Sequence, residues 1–301
     1  MSVTVQSITP TLKLLNSRLE IPGYQNYIGA YLILGEKKAL VDIGPRAAVK
    51  GVLASLYEVG FSPGEIDYLI LTHIHIDHGG GTGTVLKSLQ NARVLVHPRG
   101  RSHLIDPTAL WNASLETLGD LAVKYGQIEP VPEEKILVTE DRMKLDLGKG
   151  VVLEIYMTPG HAAHHLSVFE RTNGVLLAGD SAGLYTNGVL RLTSPPPFRL
   201  ADYLASLDRM IALQPKLLGY AHYGCYPDAV ARLRATKEKA QMWYDIAQAG
   251  AKAGKTPEQV VQEVRDKDKN LAYLSILDND EFERDYSMFV TSIHGVMTTR
   301  L

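Results

Sequence analysis

His73, His75, Asp77 and His78 stand within six consecutive residues, in the run Thr72-His-Ile-His-Ile-Asp-His-Gly79. Neutral imidazole and carboxylate suit borderline divalent ions such as zinc, iron, manganese or cobalt. One ion does not need all four donors, whereas a tight turn can aim alternate side chains at two ions. A histidine-rich surface loop is the bland alternative. Three more clusters count against it, each at the end of a strand-like run: Thr158-Pro-Gly-His161, Leu176-Leu-Ala-Gly-Asp180 and Gly219-Tyr-Ala-His222.

The elements that must position these groups follow from the hydrophobic pattern. Apolar Tyr68-Leu-Ile-Leu71 reads as a buried strand and Gly79-Gly80-Gly81 as a loop, so the first cluster lies where a strand opens into a turn. Strands are expected at 3–8, 28–34, 39–43, 68–71, 93–96, 151–157, 165–169 and 175–178, with an amphipathic helix over 47–59 stopped by Gly60. Such interleaving suits layered α/β or α+β packing. The span 102–126 has helical periodicity and reads as an insertion, either a lid or a helix packed on the sheet. The span 183–200, with Tyr185-Thr-Asn-Gly and Pro195-Pro-Pro-Phe198, reads as a loop too long for a simple hairpin and facing the substrate. From Tyr226 onward the chain reads as helical. Thr256-Pro-Glu-Gln259 marks a capping-box start, and an amphipathic helix closes the chain over 278–299.

Taken in order, the clusters resemble the metallo-β-lactamase superfamily, whose pattern is His-x-His-x-Asp-His, then Gly-His, Gly-Asp and a final His. Leu40-Val-Asp42-Ile-Gly44 is similar to that family's first motif, and the resemblance spans 28–223. It implies an αββα sandwich over 1–225, with the insertion at about 100–130 and a helical extension over 226–301. It also implies two divalent metal ions, zinc foremost, with iron, manganese or cobalt as alternatives. By the resemblance His73, His75 and His161 hold one ion, Asp77, His78 and His222 the other, and Asp180 bridges them. Asp42 would brace the ligand loop by hydrogen bonds without touching metal. Asp77 and Asp180 would be the catalytic carboxylates, acting with a hydroxide shared between the metals.

The branch within the family sets the expected reaction. The full ligand set and the helical tail are similar to the glyoxalase II-like and lactonase branches, which implies hydrolysis of carboxylic ester, thioester or lactone bonds. The chain departs from glyoxalase II near its end, where the Arg-x-x-Lys-Asp pattern used on glutathione is missing. Phosphodiester or phosphotriester hydrolysis and a mononuclear iron persulfide dioxygenase remain the alternatives. The lactonase branch keeps a tyrosine near the metals. Tyr185, Tyr220 and Tyr223 are the candidates for that role, and Trp111, Tyr185, Tyr223 and Phe198 for a substrate pocket.

Composition bounds the remainder. With 301 residues and 45% hydrophobic content, the chain can bury a large core. A net charge of −2 and a pI near 6.6 carry no overall field toward nucleic acid or anionic membrane, so a small-molecule substrate is expected and a nucleic-acid or membrane partner is not. The lone Cys225 rules out an internal disulfide and suits a reducing compartment. With no basic and apolar leader at Met1-Ser-Val-Thr, a cytoplasmic protein is expected. A homodimer through the insertion or the terminal helices is a further expectation. His97, His103 and His294 take packing or surface roles. Of His164 and His165, one is expected to support the ligands and the other to pack.

Overall fold

A computed structural model of the chain describes residues 5–25, 27–186, 188–222 and 224–299. Seven strands form the first sheet, in order β1 (Val5–Thr9), β2 (Leu12–Asn16), β3 (Gly29–Leu34), β4 (Lys38–Val41), β5 (Tyr68–Ile70), β6 (Arg93–Val96) and β7 (Ile136–Val138). Pairing is antiparallel from β1 to β4 and parallel from β4 to β7. The second sheet is built from β8 (Met143–Asp146), β9 (Val152–Met157), β10 (Leu166–Glu170), β11 (Val175–Gly179), β14 (Leu217–Tyr220) and β15 (Gly224–Pro227), with β11 and β14 parallel neighbours. Between them in sequence, β12 (Leu184–Thr186) and β13 (Val189–Arg191) make a separate hairpin.

Strict alternation of apolar side chains builds the layers. On β3, Tyr31 and Ile33 face the second sheet while Ala30 and Leu32 face outward. On β11, Val175 and Leu177 face the first sheet while Leu176 and Ala178 face outward. The inner faces thus share one core, in which Ile70 and Leu95 meet Leu153, Val168 and Leu177. Outward faces are covered by helices: α1 (Val49–Glu58) lies on the first sheet through Val49, Val52 and Leu56, and α7 (Leu200–Ala212) and α8 (Ala229–Lys252) lie on the second through Tyr203, Leu207, Leu233 and Trp243. Each fully buried aliphatic side chain contributes roughly 1.5–3 kcal/mol. This is the αββα sandwich expected.

Several boundaries differ from the sequence reading. Of the glycine run expected as a loop after β5, Gly80 and Gly81 are the turn between two short helical turns that flank it, α2 (Ile76–Gly79) and α3 (Thr82–Val85), and Gly79 ends the first. The long loop expected over 183–200 instead opens as the β12–β13 hairpin, because the turn carries Gly188 at φ +80° and lets the two strands close directly. Only the proline-rich stretch after β13 is irregular. The tail becomes helical at Ala229, after β15 has used Tyr226 and Pro227 to pair with β14. The insertion folds as α4 (Arg101–Ile105), α5 (Thr108–Leu118) and α6 (Asp120–Tyr125), all helical as expected. Beyond α8 come α9 (Pro257–Lys267), with its capping box at Thr256 and Gln259, and α10 (Asn279–Thr298). Among the described residues, no helix is long and apolar enough to cross a membrane.

A polar clasp on the second sheet gives one test of the packing. Glu154 on β9 is buried, accepts two bonds from Arg171 at 2.8 and 2.7 Å, and accepts a third from Tyr156 Oη at 2.7 Å. The Arg171 bonds outweigh burial and hold this carboxyl down to about 2. A carboxyl depressed on folding stabilises above its unfolded pKa, and that stabilisation fades as pH falls through the folded value. Glu154→Gln is therefore expected to lower Tm at pH 7, with the gap from the parent closing between about pH 4.5 and 2. Thermal melts across that range check it, and a gap independent of pH would contradict it.

Candidate metal centre

Every sequence cluster sits at the same end of the sandwich, because the strands that deliver them run in the same direction. Asp42 follows β4, the His73–His78 run follows β5, His161 follows β9, Asp180 follows β11 and His222 follows β14. After β5 the chain turns at His75 into the single turn of α2, which carries Asp77 and His78. That turn is tied down by the loop after β4: Ile43 and Gly44 both donate backbone N–H to His78 O, at 3.1 and 3.0 Å. Gly179 delivers Asp180 at φ +53°, and a Cβ there would lie 2.6 Å from His165 Nε2, so only glycine fits.

Four imidazoles are locked in the same sense. His161 Nδ1–H donates to Thr193 O at 2.8 Å and His222 Nδ1–H to Tyr27 O at 3.0 Å. His78 Nδ1–H donates to Asp42 Oδ2 at 3.1 Å. Thr72 Oγ1 gives its only proton to Asp42 Oδ2 at 2.7 Å, so it accepts from His73 Nδ1–H at 3.1 Å. Each ring thereby turns its Nε2 inward, the arrangement by which proteins orient metal-binding histidines. His75 faces the same point with Nδ1, 3.0 Å from His73 Nε2 and 3.1 Å from His161 Nε2. Those separations are close to the edge of about 3.3 Å spanned by two donors about 2.0–2.1 Å from one tetrahedral ion.

Two donor groups emerge, with Asp180 between them. His73, His75 and His161 converge within 4.8 Å, as do Asp77, His78 and His222. Asp180 turns Oδ2 toward His161 Nε2, at 3.6 Å, and Oδ1 toward His78 and His222 Nε2, at 3.5 and 3.4 Å. Asp180 Oδ1, His78 Nε2 and His222 Nε2 are buried without a hydrogen-bond partner. Leaving such atoms unpaired costs about 1–3 kcal/mol each, more if charged, and a cation among them removes that cost. The donor set therefore fits divalent metal.

Protonation agrees with this. Burial, reinforced by neighbouring imidazoles, holds His73 and His75 well below the ordinary histidine range. His161 is also lowered by burial, against the pull of Asp180. These rings are neutral at pH 7, which is the form that ligates. His78 departs from the pattern: burial would lower it, but Asp77, Asp180 and Asp42 push it up to about 10. Burial would raise Asp180, yet His78, His222 and His161 hold it well below the usual carboxylate range. The carboxylates call for positive charge at this spot.

The residues read as pocket or support are distributed unevenly. Trp111 packs against a cluster that includes Tyr27, Ile76 and Tyr125, where α5 and α6 lie against α2. The insertion thus covers the ligand turn. Phe198 is 3% exposed and its ring lies 5.1 Å from Tyr203, inside the core beneath the proline-rich stretch. Tyr185 stacks on Tyr220, meets Tyr226 edge-on and lies beneath the Arg232 guanidinium on the outward face of the second sheet. The Phe198 ring is spent on packing, and the partly exposed apolar side chains beside the ligand turn are those of Trp111 and Tyr24, which lie over buried Tyr27 and Ile76. Tyr223 lies outside the described residues. His165 accepts from Asp180 N–H at 3.1 Å, while half-buried His164 flanks His75 with ring centroids 5.5 Å apart. Cys225 is half-buried between the sheets, with its thiol pushed up to about 12 by burial.

Tyr27, Thr72 and Thr193, which hold the rings of His222, His73 and His161, are residues of this site that sequence reasoning missed. Tyr27 also stacks on His222 at 4.1 Å. Thr72 had a visible signal, its place directly before the first histidine. Tyr27 and Thr193 act through backbone carbonyls, which leave no mark on residue type.

Comparison with known proteins agrees with the geometry. Residues 25–222 match the family model described as the metallo-beta-lactamase superfamily. A metallo-beta-lactamase fold-containing protein of Sulfurisphaera tokodaii is 36% identical over 225 residues, covering 72% of this chain and 82% of its own. A hydroxyacylglutathione hydrolase of Aeromonas hydrophila is 28% identical over 205 residues, 67% of this chain and 63% of that protein. Among solved structures, a metallo-beta-lactamase family protein from Thermus thermophilus aligns with a TM-score of 0.69 at 25% identity, covering 96% of this chain and 93% of that one.

Proposed function

The chain belongs to the metallo-beta-lactamase superfamily, and from that premise we propose that it is a two-metal hydrolase of carboxylic ester, thioester or lactone bonds in small substrates. The observation that carries the reading is the convergence of three orphaned polar atoms, Asp180 Oδ1, His78 Nε2 and His222 Nε2, beside the His73–His75–His161 triplet. His73, His75 and His161 would hold one ion, Asp77, His78 and His222 the second, and Asp180 would contribute an oxygen to each. When bound, such a pair acidifies water to a pKa of roughly 7 and draws negative charge onto itself from the substrate oxygen. Zinc suits this donor set best, with iron, manganese and cobalt compatible.

The protein's own groups have separable tasks. Asp77 is the one carboxylate of the set with appreciable exposure, 22% of its side chain, so it alone reaches both solvent and an incoming substrate. It takes the proton as water adds to the acyl carbon and returns it to the departing alkoxide or thiolate as the acyl bond breaks. Asp42 and Thr72 keep His73 and His78 from rotating. Trp111 and Tyr24 supply apolar surface beside the ligand turn, which favours small substrates of low charge. A pocket of this kind tolerates many acyl groups, so broad activity is expected.

The test is a panel of aryl esters, acyl lactones, lactoylglutathione, aryl phosphodiesters and phosphotriesters, run with defined metals and with Asp180→Ala as the blank. Metal-dependent turnover is expected on the acyl substrates. Turnover confined to the phosphoesters would overturn the acyl reading. Oxygen uptake on glutathione persulfide with a single iron per chain would replace hydrolysis altogether.

A further inference from the structure

The terminal helix α10 lies against two separate segments, and each of them carries a carbonyl that orients one of the central histidines. The first segment follows β13. Ser194 N–H donates to Ser292 Oγ at 3.2 Å, Ser194 Oγ donates to Ser292 O at 3.0 Å, and Ser292 Oγ donates to Leu192 O at 3.1 Å. The same segment is pinned at its start by the ion pair of Arg191 with Asp285, and further along by Thr299 Oγ1, which accepts from Leu200 N–H at 3.2 Å. Asp285 and Ser292 are seven residues apart and form one stripe along the helix, and Thr299 is the residue that follows its last turn. Between the fastened residues sits Thr193. Its carbonyl holds His161 Nδ1–H, and its hydroxyl donates to Asp180 O at 3.1 Å.

The second segment precedes β3. Arg284 donates to Gly23 O and lies over the ring of Tyr24, with 5.6 Å to the centroid. Tyr27 Oη donates to Met288 Sδ at 3.1 Å. Arg284 and Met288 are one turn apart and form the neighbouring stripe. Tyr27 O holds His222 Nδ1–H. One helix therefore fastens the orienting acceptor of a histidine in each donor group.

Close approach makes the contact specific. A Cβ added at Gly295 would lie 1.7 Å from Ser194 O, so glycine at this position lets the helix backbone rest directly on the segment that ends in the His161 acceptor.

We propose that α10 is a positioning element of the metal centre, with Ser292 and Gly295 setting the orientation of His161 and Met288 that of His222, so that the terminal helix tunes metal affinity. The proposal rests on reading His161 and His222 as ligands. Residues that orient a metal-binding histidine are typically worth 10–100-fold in affinity.

The experiment is a zinc titration of the metal-stripped full chain against a chromophoric chelator, paired with thermal melts. Gly295→Ala, Ser292→Ala and Met288→Ala are each expected to weaken zinc by about tenfold or more. Val260→Ala, in the core between α8 and α9, is the control that lowers Tm and leaves affinity unchanged. Gly295→Ala should weaken zinc further in a His222→Ala background but not in a His161→Ala background, where the oriented ring is already gone. If Gly295→Ala does not fold, Ser292→Ala carries the same comparison. Parent-like affinity in the folded α10 variants, or a loss that Val260→Ala reproduces at equal Tm, would overturn the positioning role while leaving the ligands in place. Parent-like zinc binding in His161→Ala and His222→Ala would instead remove the premise.

Discussion

Asp180→Ala is expected to lose metal and activity together, with affinity falling more than about 100-fold and turnover by about a thousandfold or more. The expectation follows from position. Asp180 turns one oxygen toward each donor group, and its carboxyl is held anionic by His78, His222 and His161 against the cost of burial. Alanine removes an oxygen from each group and leaves those imidazoles facing a void with their inward nitrogens unpaired. The backbone is unaffected, because Asp180 N–H is held by His165 and its carbonyl by Thr193, neither of which depends on the side chain. Metal content by elemental analysis and turnover on the best acyl substrate are the two readouts. A variant that keeps its metals but loses activity would move Asp180 from holding metal to the chemistry alone.

Asp77→Asn is expected to do the reverse, lowering kcat by about 10²–10⁴-fold while most of the metal stays bound. Asparagine is nearly isosteric, and its amide oxygen still faces His78 and His222, but it cannot take a proton. Asp77 is also the most solvent-exposed carboxylate of the set, and Asp180 and Asp42 remain beside buried His78 after its replacement. Steady-state kinetics with metal content measured on the same samples separate the two effects. Full turnover in this variant would remove Asp77 from the proton-transfer role.

How much of this was legible in the sequence depends on how each feature is written there. The seven donor side chains were readable because chemistry restricts each position to histidine or aspartate, and because strand ends are marked by glycine, as in Gly160-His161 and Gly179-Asp180. The sandwich was readable where strands are buried on both faces, as in β3 and β11. The weaker strands were not. In β2, Leu-Lys-Leu-Leu-Asn breaks alternation, while β8, Met-Lys-Leu-Asp, alternates but is short and has no fully buried residue, so neither stands out as a strand. Position along the chain is a poor guide to the surroundings of Tyr185 and Phe198. Both are near Asp180 in sequence, but the hairpin turn at Gly188 and the proline-rich stretch send their rings into the packing around the second sheet. The role proposed for α10 had no sequence signal at all, because it would work through backbone carbonyls and through contacts such as Tyr27 with Met288, 261 residues apart.

The central claim is that these side chains hold two ions in one site, and the most direct measurement is a count. Protein stripped with chelator, reloaded with zinc and freed of excess metal is to be analysed for metal and protein on the same sample. The account predicts two ions per chain in the parent and fewer in Asp180→Ala. A reproducible value of one ion or none in the parent would contradict it.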